Sequence, residues 1–485
     1  MKRAEAILCL AALLGVAVLY LAPIGARGLV GPDEPRYASV SRQMAESGDW
    51  ITPELWGEPW FEKPVLLYWL AAVARIVGFD NFTRIPVALL SLGFLAYFYY
   101  TVRRKFGVSE ARAATFILAT SAGWIAFSDI GGADLPVSAL TAAALLSLLE
   151  WVDDPREKRL ALPAFGALLG LAVLSKGLVG PAVAFFAVLP LLWERPRRIL
   201  DLVGLNTLLP FCVLAVPWYL ACYARNGQAF ISEFIWKHHV ERFTSPSLEH
   251  VQPLWFYLPV LLLFLLPWAP LLVTLRPGEI WADRRSRFLA AWVVGSMFFF
   301  SISVNKLPGY ILPVLPPLAI LLGIAWVRRP SRFAALVASA SLLLVPLVAV
   351  LLPVALADGI SKAWSAADLS TLSTIAGISV VVVAATAFVI LRFADIRAIA
   401  AIALAATVLL TLLKFETYPA ISQIAGAREL YFEHQTKVSQ LCIGDVRRHT
   451  EYGLRFYSEN AIPLCEEQTA KFTIIGDPPR IEPGP

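Results

Sequence analysis

Long apolar stretches separated by short charged or polar segments dominate the sequence. Each stretch is about 18 to 25 residues long, which is the length that an α-helix needs to cross a hydrocarbon core of about 30 Å. The strands of a porin-like barrel would alternate polar with apolar residues, so that class is excluded. The pattern predicts an all-α polytopic membrane protein with about thirteen transmembrane helices, near residues 6–24, 84–102, 111–128, 134–152, 160–174, 178–193, 200–222, 253–275, 287–303, 309–327, 333–356, 371–391 and 396–414.

Composition and charge agree with this fold class. Of the 485 residues, 58% are hydrophobic and 16% are charged, which is too apolar for a soluble globular protein. The formal net charge of +5 comes from small basic clusters at the ends of the apolar stretches, whereas a nucleic-acid-binding protein gathers such residues on one face. We therefore expect membrane lipids around the protein and no nucleic-acid partner.

The basic clusters also predict how the chain is oriented. They fall in every second loop, and Lys and Arg accumulate in the cytoplasmic loops of membrane proteins. Counted from a cytoplasmic N-terminus, an odd number of crossings leaves the C-terminus on the periplasmic side of a bacterial inner membrane. The first apolar stretch could instead be a signal peptide, but it lacks a clear cleavage site. The clusters are Lys2-Arg3, Arg103 to Lys105, Arg156 to Arg159, Arg195 to Arg198, Arg284 to Arg287, Arg328 to Arg332, and Arg392 with Arg397.

Two domains are predicted, a transmembrane domain at 1–414 and a small periplasmic domain at 415–485. The second is polar, and short β-like runs between turn residues predict a mixed α/β fold. Its cysteines, Cys442 and Cys465, would form a disulfide bond in an oxidising compartment, with two unpaired thiols as the alternative. The β-like runs lie at residues 441–443, 454–457 and 472–475.

The predicted periplasmic loops hold a different population of residues from the cytoplasmic ones. The long first loop, 25–81, contains the acid and base clusters Asp33-Glu34-Pro35-Arg36 and Glu62-Lys63-Pro64. Within it, the apolar stretch 64–78 is short for a span and predicts an interfacial helix, beside which a carrier lipid could dock. Other outward loops contribute Asp129, Asp134, Lys176, Asn305, Lys306, Tyr310 and the five histidines, His238, His239, His250, His434 and His449.

Each cluster has an ordinary structural alternative. Asp33 and Glu34, followed by Pro35, could simply begin a helix. The lysines could extend to lipid headgroups, and His238-His239 could be solvated, since no metal-ligand spacing such as His-Glu-x-x-His is present. The location of several clusters at one membrane face favours a functional site.

At these residues the sequence resembles the bacterial dolichyl-phosphate-mannose-protein mannosyltransferase superfamily and, within it, the 4-amino-4-deoxy-L-arabinose lipid A transferases. Two departures stand out: Val65 replaces a second proline of the family pattern, and the C-terminal domain is short for these transferases. The motifs that carry the resemblance occur in order along most of the chain as Asp33 to Ala38, Ser47 to Trp50, Phe61 to Pro64, Ser175 to Gly177, Pro217 to Tyr219, His239 to Phe243, Trp255 to Pro259 and Lys306 to Pro313.

The resemblance implies a C-type glycosyltransferase fold that takes a monosaccharide from undecaprenyl phosphate, or a similar polyprenyl-phosphate carrier, and transfers it to a glycolipid or protein acceptor. No cofactor is required in general, although some relatives carry a metal such as zinc. By motif position the implied roles are catalytic for Asp33 and Asp134, donor-phosphate binding for Arg36, Lys63, Arg242 and Tyr310, further site residues for Glu34, Lys176 and Lys306, and metal binding for Glu62 and His239.

The residue types suit this chemistry independently. Arg and Lys can hold a leaving phosphate, and Asp33 can act as a general base toward a hydroxyl acceptor. The competing hypotheses are a protein O-mannosyltransferase-like enzyme, an inactive relative, and a transporter or flippase for lipid-linked sugars. A transporter would carry its polar groups at mid-bilayer within a repeated architecture, whereas these charges lie at span ends.

Overall fold

Helices form most of the protein. A computed structural model describes residues 2–153, 158–241, 251–358, 362–363, 373–468, 470–477 and 479–483. The predicted all-α membrane fold class is confirmed. Its α-helices are Lys2–Leu21, Asp33–Ser47, Leu66–Ile76, Arg84–Phe106, Val108–Ala119, Ala122–Ser128, Asp134–Ser147, Leu149–Asp153, Lys158–Lys176, Val179–Glu194, Ile199–Leu202, Leu205–Phe230, Tyr257–Phe264, Pro277–Ala282, Arg284–Ile302, Leu315–Arg328, Arg332–Ser341, Val345–Asp358, Ser373–Arg392, Ile396–Ala425, Arg428–His434 and Arg448–Tyr457.

Other helical turns extend or join these elements. A π-helix, Ile231–Glu241, continues directly from Leu205–Phe230. The 3-10 helices are Pro196–Arg198, Leu254–Phe256, Ala269–Thr274, Pro308–Val314, Leu342–Leu344 and Gln435–Gln440.

Within the described residues, seven helical segments are long and apolar enough to cross a membrane. The predicted number of thirteen spans stays a prediction. Some other predicted spans, among them 111–128 and 134–152, consist of two shorter helices in tandem. In the predicted span 111–128, for example, the break falls at Thr120 and Ser121, whose hydroxyls donate to backbone carbonyls one turn earlier. The seven segments are Arg84–Phe106, Arg159–Lys176, Leu205–Lys237, Pro308–Arg328, Arg332–Leu356, Ile375–Arg392 and Ile396–Ile424.

Small residues allow two of these helices to pack closely. Gly166 and Gly170 lie one turn apart on Lys158–Lys176 and face Leu205–Phe230. A Cβ atom on Gly166 would lie 2.0 Å from the Thr207 carbonyl oxygen, and one on Gly170 would lie 2.9 Å from that of Phe211. Such close backbone contact is a common way for helices to associate in lipid, where apolar burial gives little driving force.

The last long helix, Ile396–Ala425, continues eleven residues beyond the predicted end of the transmembrane domain at 414. Its extension carries polar side chains that reach two other loops. Tyr418 donates to the Asp129 carboxylate, and Ser422 accepts from the Gly28 N–H of the first loop at 2.9 Å. These contacts hold the helix in place beyond its apolar part.

The first loop contains a β-hairpin between two helices, the second of which is Leu66–Ile76. The first-loop helix, Asp33–Ser47, begins with the two acids of the motif. A two-residue turn at Trp56 and Gly57, both with positive φ, then joins strand β1 (Glu54–Leu55) to strand β2 (Glu58–Pro59). Positive φ at both central residues suits the tight turn of a β-hairpin. The hairpin returns the chain toward the first-loop helix and so places Glu62 and Lys63 beside it.

The C-terminal domain is a small mixed sheet with helices. Strand β3 (Leu441–Ile443) pairs in parallel with β4 (Phe472–Ile475), which pairs antiparallel with β5 (Arg480–Pro483). Cys442 and Cys465, the pair predicted from the sequence, are joined by a disulfide bond.

The predicted β-like run at 454–457 is wrong, because these residues end the α-helix Arg448–Tyr457. We call it the docking helix because it packs against the first-loop helix. The helix buries Thr450, Gly453 and Leu454 on one face, a spacing of three to four residues that suits a helix. The sequence reasoning considered only the apolar run at its end.

Candidate active site

Four charged side chains from the first loop form an alternating series, here called the charged row: Asp33, Arg36, Glu62 and Lys63. Arg36 pairs with the Asp33 carboxylate and, at 3.0 Å, with Glu62. Lys63 lies 2.6 Å from the other Glu62 oxygen. The structure therefore brings together one predicted catalytic acid, two predicted phosphate-binding cations and one predicted metal ligand.

Exposure differs sharply along the charged row. The Asp33 side chain is 54% exposed, whereas that of Glu62 is 9% exposed. Partial burial alone would lower the pKa of Arg36, but the carboxylates of Glu62 and Asp33 raise it above its usual range. Arg36 also lies against the ring of Trp60, with 5.4 Å from its guanidinium carbon to the ring centroid. Asp33 is thus the accessible end of a series of charges whose inner members are held in place.

Glu34 has a different role from its neighbour Asp33. Its buried carboxylate accepts hydrogen bonds from Arg84, from Arg27 and from the backbone N–H groups of Val30 and Gly131. Burial alone would raise the pKa of Glu34, but the charges of Arg27 and Arg84 lower it to about 2. We call Glu34, Arg27 and Arg84 the Glu34 junction. This predicted site residue anchors the first loop.

The Glu34 junction also connects the two predicted catalytic acids. Glu34 follows Asp33 directly, and the Gly131 N–H that it binds at 2.9 Å lies three residues before Asp134. Both acids occupy the first position of a helix, Asp33–Ser47 and Asp134–Ser147. One buried carboxylate therefore ties together the starts of both helices.

Asp134, Lys176 and Tyr310 form a second cluster, here called the second charged group after its ion pair. The Lys176 ammonium pairs with the Asp134 carboxylate and lies 4.8 Å from the centroid of the Tyr310 ring. Gly309 permits this approach, since a Cβ atom there would lie 3.0 Å from Asp134 Cγ and 2.6 Å from Phe127 Cε1. The motifs around residues 134, 176 and 310, which are far apart in the sequence, therefore lie together in the structure.

Lys306, another predicted site residue, is buried. Its ammonium donates to the backbone carbonyls of Gln252, at 2.8 Å, and Ser303. These bonds fix the loop that leads into the Pro308–Val314 turn and thereby Tyr310. The contacts of Lys306 thus support the loop that carries Tyr310.

The predicted metal pair cannot be placed as a pair. Glu62 is held by Arg36 and Lys63, while the side chain of His239 and all of Arg242 lie outside the described residues. Among the side chains that are described, no three His, Cys, Asp or Glu residues come together in a way that could hold a metal ion. Metal binding at Glu62 and His239 stays a prediction, as does the phosphate contact of Arg242.

Sequence reasoning missed the buried partners that support the site. Lys414 pairs with Asp129 at 2.6 Å, and Arg27 donates to the Asp129 carbonyl at 2.9 Å. A lysine inside the apolar stretch 396–414 was the available signal, because an ionisable group within a span almost always has a partner. Arg84, at the start of the predicted span 84–102, could have been paired with Glu34 for the same reason.

Comparison with known proteins gives the family context. A family model described as dolichyl-phosphate-mannose-protein mannosyltransferase matches residues 59–221. The undecaprenyl phosphate-alpha-4-amino-4-deoxy-L-arabinose arabinosyl transferase 2 of Pseudomonas fluorescens is 34% identical over 65% of this chain and 56% of its own length. The corresponding transferase of Pectobacterium carotovorum is 36% identical over 64% of this chain and 57% of its own length. The matches thus span less than two thirds of these curated relatives.

Solved structures extend the likeness to nearly the whole chain. ArnT from Cupriavidus metallidurans bound to undecaprenyl phosphate superposes with a TM-score of 0.80 at 25% identity, covering 95% of this chain and 86% of that one. An oligosaccharyltransferase from Archaeoglobus fulgidus shares the fold at a TM-score of 0.51 and 11% identity, over 95% of this chain and 64% of that one. The resemblance inferred from the motifs is confirmed: this multi-pass inner-membrane protein has the C-type glycosyltransferase fold, matches the dolichyl-phosphate-mannose-protein mannosyltransferase model over residues 59–221 and is similar to the aminoarabinose transferases.

Proposed function

We propose that this protein is an inverting glycosyltransferase that moves a monosaccharide from undecaprenyl phosphate to a glycolipid acceptor, with lipid A as the leading candidate. The observation that carries the proposal is the charged row, in which an accessible carboxylate at Asp33 pairs with Arg36, and Glu62 links Arg36 to Lys63. The names of the curated relatives supply the sugar carrier, and the glycolipid acceptor rests on the resemblance of the sequence motifs to lipid A transferases.

The donor phosphate would be held by Arg36 and Lys63. Both side chains are largely buried and are positioned by Glu62, so little side-chain entropy remains to be lost when a phosphate binds. Charge-assisted hydrogen bonds to phosphate are the strongest that these side chains make. The related ArnT structure contains undecaprenyl phosphate, which supports a lipid phosphate as the ligand.

The transfer step breaks the bond between the anomeric carbon and the phosphate oxygen and forms a bond from that carbon to an acceptor oxygen. The electron pair leaves with the phosphate, where Arg36 and Lys63 would stabilise the growing negative charge. If the acceptor is a hydroxyl, Asp33 takes its proton. If the acceptor is a phosphate of lipid A, Asp33 orients it or stabilises positive charge on the sugar ring. Attack from the face opposite the leaving phosphate inverts the anomeric centre.

Asp134 would act from the second charged group. Its carboxylate is paired with Lys176 and is 27% exposed, less than that of Asp33. The shared anchoring through Glu34 and Gly131 favours a role in placing the sugar or acceptor opposite Asp33. The contribution of Asp134 to transfer should therefore depend on the Glu34 junction.

The site and the C-terminal domain would face the periplasm. The alternating basic clusters support this orientation, and the disulfide bond of the C-terminal domain suits an oxidising compartment. A compartment without nucleotide sugars requires a lipid-linked donor. A reporter fused at Pro485 that is active only in the cytoplasm should therefore be silent.

A transfer assay tests the donor and the acceptor separately. Purified protein in detergent should transfer labelled sugar from undecaprenyl-phosphate sugar to lipid A and should ignore a nucleotide sugar. Transfer from the nucleotide sugar without carrier lipid would contradict the donor. Label in periplasmic protein instead of glycolipid would contradict the acceptor alone and would favour the protein O-mannosyltransferase-like alternative.

A further inference from the structure

Arg36 contacts aromatic rings from two different domains. Its guanidinium carbon lies 5.4 Å from the ring centroid of Trp60, in the first loop, and 5.6 Å from that of Tyr452, in the docking helix of the C-terminal domain. A guanidinium within about 6 Å of an aromatic ring is attracted by the electrons of its face. The C-terminal domain thus reaches a side chain of the charged row directly.

Tyr452 is itself held in place by the first loop. Its ring centroid lies 5.0 Å from that of Trp56, at the tip of the β1–β2 hairpin. On the same Trp56 ring lies the guanidinium of Arg455, 3.8 Å from the centroid. Tyr452 and Arg455 lie three residues apart on one face of the docking helix, and both contact Trp56. Trp56 therefore fixes the docking helix in the position in which Tyr452 contacts Arg36.

Further contacts dock the same helix at its C-terminal end. Arg42, on the first-loop helix, donates to the Phe456 carbonyl at 2.6 Å. The Tyr457 hydroxyl accepts from the Leu29 N–H at 2.8 Å. These bonds hold the C-terminal domain against the first loop without contacting Arg36.

The disulfide bond encloses this docking helix. Cys442 and Cys465 are 23 residues apart, and Arg448–Tyr457 lies between them. Closing a loop of this length limits the conformations of the segment inside it. The C-terminal domain is therefore built to present one short helix to the first loop.

We propose that Tyr452 is a positioning residue of the donor site, through which the C-terminal domain completes the phosphate-binding side of the charged row. With Trp60 it holds the Arg36 guanidinium in the orientation that pairs with Asp33 and Glu62. The inference rests on the proposed function in one respect, that Arg36 binds the donor phosphate. A transferase whose C-terminal domain is undocked should accordingly bind donor weakly.

The test compares Tyr452→Leu with Tyr452→Phe in the full-length protein. Leucine keeps apolar volume but removes the ring face, whereas phenylalanine keeps the face and removes only the hydroxyl. Tyr452→Leu should raise the KM for undecaprenyl-phosphate sugar, and the Kd for undecaprenyl phosphate alone, about three- to tenfold with kcat changed less than about twofold. Tyr452→Phe should restore wild-type values of both constants.

Two control variants separate positioning from docking. Phe432→Leu changes an exposed aromatic residue of the same domain and should leave both constants unchanged. Arg42→Gln weakens docking without removing the ring from Arg36 and should raise KM less than Tyr452→Leu does. Equal effects of Arg42→Gln and Tyr452→Leu, or failure of the phenylalanine variant to restore KM, would overturn the inference.

The binding measurement distinguishes this inference from the proposed function. If the wild-type protein binds undecaprenyl phosphate but transfers no sugar, the proposed transferase activity is wrong while the Kd comparison still decides the role of Tyr452. If Tyr452→Leu binds undecaprenyl phosphate as tightly as the wild type, the inference is wrong even though transfer occurs. If the wild type does not bind the phosphate at all, both are wrong.

Discussion

Asp33 and Glu34 are adjacent carboxylates with opposite environments. The Asp33 side chain is 54% exposed and pairs with Arg36, while that of Glu34 is 2% exposed and accepts from two arginines and two backbone N–H groups. Both residues begin the same helix, Asp33–Ser47. Their positions on that helix, and the partners that the rest of the chain supplies, decide what each can do.

The two environments suit the two carboxylates to different functions. A carboxylate that reacts with a substrate must be reachable and must keep acceptor capacity, as Asp33 does. A buried carboxylate is stable only when its hydrogen bonds and its charge are satisfied, and Glu34 meets this condition fully. We therefore interpret Glu34 as the anchor that sets the direction of Asp33.

The largest expected effect is on catalysis at Asp33. Asp33→Asn removes the charge at nearly constant shape, so transfer to a hydroxyl acceptor should fall by about 100- to 10,000-fold, the usual contribution of a general base. The rate of labelled sugar transfer in detergent measures this. The control is Asp80→Asn, an exposed acid of the same loop, which should transfer at the wild-type rate. Near-normal turnover of Asp33→Asn would move the reactive carboxylate elsewhere, to Asp134 first.

The matched substitution one residue later should act on stability. Glu34→Gln leaves Arg27 and Arg84 buried without their counter-charge, which costs about 3–5 kcal/mol when one partner of a buried ion pair is removed. Thermal unfolding in detergent measures the loss. Asp33→Asn serves as the control and should change stability by less than about 1 kcal/mol, since its ion pair is half exposed. Equal stability of the two variants would remove the distinction between anchor and reactive group.

The sequence predicts the fold class but not the different environments of Asp33 and Glu34. The apolar periodicity predicted the fold class and the order of the motifs predicted the resemblance to known transferases, because span length and motif spacing are local properties of the chain. The environments of Asp33 and Glu34 could not be separated, since the residues that bury Glu34 lie 50 positions away at Arg84 and 97 away at Gly131.

Two helices include residues that the apolar pattern does not assign to them, for related reasons. The last long helix runs to Ala425 rather than 414 because Tyr418 and Ser422 find polar partners in the first loop and at Asp129. The run at 454–457 forms a helix because its apolar face packs within the C-terminal domain, while Phe456 and Tyr457 contact Arg42 and Leu29 of the first loop. Hydropathy alone shows neither partner.

A smaller effect is expected at the inner end of the charged row. Lys63→Ala removes one charge-assisted phosphate contact, which is worth about 1.5–3 kcal/mol, and should appear mainly as a higher KM for the lipid-linked donor. Arg242→Ala should behave in the same way if Arg242 reaches the phosphate. The control is Arg75→Ala, which removes an exposed cation paired with Glu46. Unchanged donor dependence of a variant would exclude its residue from the phosphate site.

The smallest effect is expected from mild acid, and it tests whether Glu34 is a true anchor. The pKa of Glu34 is lowered from 4.5 to about 2 in the folded protein. A carboxylate with a lowered folded-state pKa adds stability that is complete above the unfolded pKa and is lost as the pH falls toward the folded one. The contribution of Glu34 should therefore be constant from neutral pH to about 5 and should decline only between about 4.5 and 2.

Subtraction isolates this contribution from the other carboxylates of the protein. The difference in unfolding temperature between the wild type and Glu34→Gln, measured at a series of pH values in one detergent, cancels groups that titrate in both proteins. The matched control is Asp33→Asn at neutral pH, which should change the unfolding temperature little because the half-exposed Asp33 pair adds little stability. A Glu34 difference that grows as the pH falls from 7 to 5 would mean that its carboxylate takes up a proton in the folded protein before it does in the unfolded chain, so that its folded-state pKa is raised rather than lowered. In that case Glu34 would no longer be the anchor and would join Asp33 among the groups that can exchange protons with a substrate.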